Sequence, residues 1–242
     1  MLLPLIVLVA AAYGAVAGLF LPRPAYRLAV EPEETWRAEC PGGHPLPGWL
    51  GRSRCEGCAG QAYGPGAAGL AVLTAVICAA LAGAVGARPE LAVWLLLVPG
   101  LMLLATVDWR VHRLPDVLTL PLAGGAVALL GAASPLPGAG GSWTGALLGG
   151  AVLSGVYFVL FLINPRGMGF GDVKLAITLG VALGWYGWDV LFAGAFAGFL
   201  LGAVYGLSLV LAGRAGRRTA MPFGPFMVVG ALAGVLLGGL SV

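Results

Sequence analysis

Long apolar runs, broken by short polar islands, set the pattern of this chain. Eight runs approach the roughly 20 residues that carry a helix across a bilayer. They fall at 2–22, 66–86, 91–107, 117–133, 144–163, 173–187, 189–212 and 222–241, the last four short or interrupted by glycine. Spans two and three join through ARPE, and the loop SPLPGAGGS at 134–142 is rich in turn formers. Two islands stand out between apolar runs: TVDWRVHRLPD (106–116) and NPRGMGFGDVKL (164–175). The pattern predicts an all-α polytopic membrane protein of about eight transmembrane helices. It divides into a first helix (1–22), a small cytoplasmic loop domain (23–65) and a transmembrane domain (66–242).

Composition sharpens this. Hydrophobic residues make up 60% of the chain, beside 13 Lys and Arg and 10 Asp and Glu, which is not a soluble globular balance. The 41 glycines have no G-x-y period, so collagen is excluded, and glycine is enriched in membrane helices. The net charge of +3 is spread over loops and gives no nucleic-acid footprint. The first run lacks a basic stretch before it, and Arg23 and Arg27 follow it, so a retained span is expected and not a cleaved signal peptide. If that span starts outside, the inside segments 23–65, 108–116, 164–174 and 213–221 carry 5, 2, 2 and 3 Lys and Arg, and only Arg88 lies opposite. By the positive-inside rule, both polar islands then face the cytoplasm.

The segment 23–65 is too small and too poor in aliphatic residues to build a core without a staple. Cys40, His44, Cys55 and Cys58 offer one, as C-x3-H-x10-C-x2-C. Two soft pairs across a short loop make a tetrahedral zinc site. The alternatives are a loop of free thiols in a reducing compartment, or a CxxC redox pair without thioredoxin-like surroundings. Cys78, inside an apolar run, reads as a small buried residue.

A carboxylate at the edge of a span is costly unless paired or wet, and so is a functional candidate. Asp108 follows LLLVPGLMLLATV directly, and Asp172 precedes LAITLGVALG. The topology puts both at one interface. Two carboxylates a few ångströms apart share a proton, so that one can activate water while the other polarises a carbonyl. Gly169 and Gly171, flanking Phe170, would leave room for a substrate backbone. The alternative makes the stretch a loop with Asp172 capping the next helix. Lys174 is expected to pair with phospholipid or Asp172, or to anchor the inside face. Asp116, after Pro115, reads as a helix cap, and Arg110 and His112 as interfacial.

These stretches resemble a known family. VDWRVHRLPDVLTLPL (107–122), GMGFGDVKLAITLG (167–180) and MPFGPFMVVGA (221–231) are similar to motifs of the prepilin peptidases, intramembrane aspartyl proteases with a GxGD signature. GLFLPRPAYRLAV (18–30) is similar to a further pattern, G-x-F-x5-Y-R-L, with Pro22 where the family usually has Asn. The resemblance implies a multi-pass enzyme of the bacterial inner membrane. It would cleave prepilins or pseudopilins after a glycine at the cytoplasmic face. Asp108 and Asp172 would be the catalytic pair, with Gly169, Gly171, Lys174 and Asp116 in support. Many members also methylate the new N-terminus with S-adenosylmethionine, an activity associated with a cytoplasmic segment bearing two CxxC pairs. Here Cys40 and His44 replace the first pair, and no glycine-rich loop followed by an acidic ribose clamp accompanies them. The expected partners are the precursor peptide and membrane lipid, with self-association left open and no nucleic acid. A proton-coupled transporter using both aspartates is the rival reading, and a non-catalytic assembly scaffold a second.

Overall fold

A computed structural model describes residues 2–31, 33–165, 167–213 and 221–242. Arg166, Arg214, Arg217 and Arg218, which carry part of the charge argument, lie outside the described residues. Nine helices form among the described residues: α1 (Leu2–Phe20), α2 (Pro22–Leu28), α3 (Ala67–Val85), α4 (Glu90–Val111), α5 (Asp116–Ala133), α6 (Trp143–Ile163), α7 (Phe170–Trp185), α8 (Trp188–Leu211) and α9 (Gly224–Ser241). A two-stranded antiparallel hairpin, β1 (Arg54–Cys55) and β2 (Gln61–Ala62), sits between α2 and α3. Seven of the helices are long and apolar enough to cross a membrane. The remaining expected span, the sixth in the chain, is α7, which has only 16 residues.

The helices are apolar on nearly every side. Leu8, Val72, Val76, Phe192, Phe196 and Leu200 are all at least half exposed or close to it. An aqueous protein could not sustain so much apolar surface, whereas lipid solvates it. Because lipid removes the hydrophobic drive between helices, their association rests on close backbone packing through small residues. The glycines supply this at three seams. On α6, Gly145 and Gly149 face Gly180 and Gly184 of α7, each pair spaced by four residues. A Cβ on Gly149 would stand 2.5 Å from the Gly180 carbonyl oxygen. Gly14 and Gly18 of α1 lie as closely against Ala71 and Thr74 of α3, and Gly194 and Gly198 of α8 against α9 around Gly230. Cys78 is fully buried at the α1–α3 seam.

α7 is the pillar. Twelve of its sixteen residues are buried, and α5, α6, α8 and α9 pack around it. At the end far from the polar islands, the fully buried Glu90 accepts from the Gly140 N–H at 3.1 Å, and Arg88 donates to the Gly239 carbonyl at 2.8 Å. These bonds tie the start of α4 to the 134–142 loop and to α9.

Three boundaries differ from the hydropathy reading. α4 continues one turn past residue 107, so Asp108 is helical. α7 starts at Phe170, which puts Asp172 in its first turn. α1 stops at Phe20, and α2 begins at once with Pro22, proline being suited to a first helical turn. Arg23 on α2 donates to the carbonyls of Pro47 and Leu50, and Arg27 to Gly48 at 2.8 Å, pinning the following loop.

Gly149→Val is expected to cost roughly 1–3 kcal/mol through overpacking at the α6–α7 seam, read as a lower thermal midpoint in detergent. Gly124→Ala on α5, where nothing lies within 4 Å of the added methyl, should be neutral or slightly stabilising. Equal midpoints for the two variants would contradict the seam.

Candidate active site

Four helix ends meet at one end of the bundle. α4 closes on His112, whose left-handed backbone (φ 50°) lets its N–H reach back to the Asp108 carbonyl at 2.8 Å. The turn then drives Leu114 inward, between α7 and α9. A Cβ on Gly171 would lie 2.8 Å from Leu114 Cβ, and one on Gly224 would lie 3.4 Å from its Cδ2. The room at Gly171 is thus taken by the chain's own Leu114, not held open for a substrate.

The two carboxylates face this junction. Asp108 is 4% exposed and Asp172 7%. The N–H of Gly224, first residue of α9, donates to Asp108 Oδ2 at 2.9 Å across 116 residues of sequence. The N–H of Gly169 donates to Asp172 Oδ2 at 3.1 Å. A helix N-terminus has such N–H groups to spare, and each is directed at one acid. A side chain at position 224 would collide with Asp108, its Cβ 2.9 Å from Oδ2. Asp172 is therefore a first-turn residue reaching back to Gly169, not the cap itself.

Both acids line one cavity of about 1220 Å³, together with His112, Arg113, Asp116, Gly169, Phe170, Gly171, Lys174 and Phe223. Lys174 does not pair with Asp172. Its Nζ lies 2.7 Å from both oxygens of Asp116 and 5.1 Å from the centre of the Phe170 ring. Asp116, at the start of α5, accordingly serves as the partner of Lys174. The cation is engaged elsewhere, and among the described residues the hydrogen bonds to the two acids come from backbone N–H groups. Sequence reasoning assigned no role to Gly224 or Leu114. The stretch MPFGPF was visible as a motif, but its contact with Asp108 exists only in three dimensions.

The second cluster lies in the 23–65 segment. Cys40 Sγ is 3.4 Å from Cys55 Sγ and 3.7 Å from Cys58 Sγ, and His44 Nδ1 is 3.6 Å from Cys40 Sγ and 3.2 Å from Cys58 Sγ. All four ligand atoms lie within 4.8 Å of one another. A tetrahedral zinc with Zn–S bonds of about 2.3 Å separates its sulfurs by about 3.7 Å, so the group fits that ion. Gly57 makes this compact. A Cβ there would sit 2.6 Å from the His44 ring. Burial works against a charge on Cys40, yet hydrogen bonds involving His44, Cys55 and the backbone outweigh it and bring its thiol down to about 6. Metal ligation requires the thiolate.

Known proteins are similar to this sequence. The pattern of the type IV leader peptidase family matches residues 95–207. A prepilin leader peptidase/N-methyltransferase from Aeromonas salmonicida (strain A449) is 33% identical over 198 residues, covering 80% of this chain and 66% of its own. The Pseudomonas putida protein of the same name is 35% identical over 193 residues, 77% of this chain and 64% of its own. The one from Stutzerimonas stutzeri is 30% identical over 236 residues, 93% and 75% respectively. The chain thus spans just under two thirds of the length of the first two relatives. No solved structure matches it, and nothing in these matches supports a transporter. The matched region contains both aspartate islands, and the chain belongs to the type IV leader peptidase family.

Proposed function

We propose that this chain is an endopeptidase of the bacterial inner membrane that removes the leader from a prepilin or pseudopilin precursor after a glycine, at the cytoplasmic face. One observation carries the reading. Two buried carboxylates from helices far apart in sequence line a single cavity at the end of a membrane bundle, each with one oxygen held by a backbone N–H. Among the described residues no hydrogen bond takes up the other oxygen of either acid, which leaves it for chemistry.

With one proton shared between Asp108 and Asp172, the ionised acid takes a proton from water as it attacks the scissile carbonyl. The protonated acid donates to the developing oxyanion. Collapse of the tetrahedral intermediate breaks the C–N bond, and the proton taken from water passes to the leaving amine. Gly224 and Gly169 keep each carboxylate in position, and the Lys174–Asp116 pair keeps the nearby cation off Asp172. The precursor's apolar stem lies among the helices while its leader stays on the cytoplasmic side.

Cys40, His44, Cys55 and Cys58 would hold a structural zinc, which supplies cross-linking to a segment with little core of its own. Methyl transfer from S-adenosylmethionine, the second activity in the relatives' printed name, is not assigned to residues. The buried residues of the segment are Tyr26, Cys40, Leu46 and Cys55, with Tyr26 in edge contact with Tyr63 at 4.8 Å.

Co-expression with a prepilin from the same organism tests the peptidase. Asp108→Asn and Asp172→Asn should each lower leader removal at least ~100-fold, the scale of general acid–base catalysis, in protein that still inserts and folds. The readouts are a gel shift and the mass of the new N-terminus, where an added methylene would reveal methylation. Cleavage at the normal rate by both variants would remove the mechanism.

Elemental analysis of purified protein should find one zinc per chain. Cys40→Ser and Cys55→Ser should lose it, and His44→Cys should keep it. Protein purified zinc-free from metal-replete cells would discard the metal site.

A further inference from the structure

One wall of the cavity does not belong to the helical bundle. Trp36, from the Cys/His segment, lines the space that Asp108 and Asp172 also line. It is 45% exposed, so packing within its own segment does not use up its indole. The contact it does make is an edge contact with Trp49, ring centres 5.2 Å apart, and Trp49 lies under the Arg27 guanidinium at 4.4 Å.

The backbone beside Trp36 is fixed from two directions. The Arg37 N–H donates to the Arg27 carbonyl at 3.1 Å, and its guanidinium donates to the Tyr26 carbonyl at 3.2 Å. Arg113, itself in the cavity wall and five residues beyond Asp108, donates to the Glu31 carbonyl at 2.9 Å. The turn that follows the first aspartate is therefore bonded to the loop that presents the tryptophan. Met168, Phe170 and Phe223 give the cavity further apolar lining. A peptide carbonyl that reaches both acids has to enter this space, and the side chains flanking it then fall on these walls. An indole fixed by its neighbours and open to a cleft gains by burying its face against an apolar group.

We propose that Trp36 is a substrate-docking residue that receives a large apolar side chain adjoining the scissile bond. The Cys/His segment is on this view part of the peptidase site and not an appendage to it. The inference rests on the peptidase reading above.

The test uses the full chain in lipid nanodiscs and a labelled precursor peptide. Trp36→Ala is expected to raise KM about ten-fold, the scale set by losing one apolar contact in a binding pocket, with kcat little changed. Trp36→Phe should stay near wild type. Trp36→Leu should fall between, and covers the case in which alanine unfolds the segment. The decisive readout is a set of precursors in which each large apolar residue near the cleavage site is trimmed to alanine in turn. For one of them the penalty of Trp36→Ala should vanish, because the partner side chain is already gone. An unchanged KM, or a penalty that persists with every trimmed peptide, would overturn the docking role while leaving the peptidase standing. Failure of the wild-type chain to cleave any precursor would overturn both.

Discussion

Burying two carboxylates at the end of a lipid-embedded bundle is the constraint on which the rest of this structure depends. Each acid needs donors, and a strong cation beside it would fix its charge and end any sharing of a proton. The chain answers with single backbone N–H groups: Gly224 for Asp108 and Gly169 for Asp172. Both come from helix starts, where such groups have no partner within the helix. The single lysine of the chain, Lys174, is bound by Asp116. Leu114 then closes the gap between α7 and α9 and leaves no room for a side chain at Gly171, while one at Gly224 would collide with Asp108 itself.

That arrangement is only as accurate as the placement of α7, and α7 is placed by its neighbours' backbones. Glycine facing glycine along α6 and α7 brings carbonyl oxygens within van der Waals reach of the opposite chain, a contact that cannot slide without collision. The seams of α8 with α9 and of α1 with α3 repeat the device. Far from the acids, Glu90 and Arg88 fasten the other end of the bundle through carbonyl and amide bonds. Precision at the site is thus set mainly by small residues that never approach it.

Much of this was legible in the sequence. Apolar runs near bilayer length located every long helix, and the spacing of Cys40, His44, Cys55 and Cys58 announced a cluster that the fold does bring together. Hydropathy failed where polarity and helicity part company. Asp108, Trp109 and Arg110 look like a loop, yet they continue α4, and Pro22 looks like the end of the first span, yet it opens α2. The partner of Lys174 was out of reach for a different reason. Asp116 lies 58 residues away, and nothing local distinguishes it from Asp172 as a counter-ion. The same holds for Trp36, an ordinary loop tryptophan until the fold sets it beside the acids.

The shortness of α7 has a consequence for the membrane around it. Sixteen residues rise only about 24 Å, some 6 Å less than the ~30 Å hydrocarbon layer. A lipid-facing helix would settle such a mismatch by deforming the bilayer, but α7 is enclosed by other helices and touches little lipid. The missing length is replaced by the cavity at its N-terminal end. Both acids line that cavity, so the shortness of α7 leaves the bundle open beside them while the helices around it keep their full length.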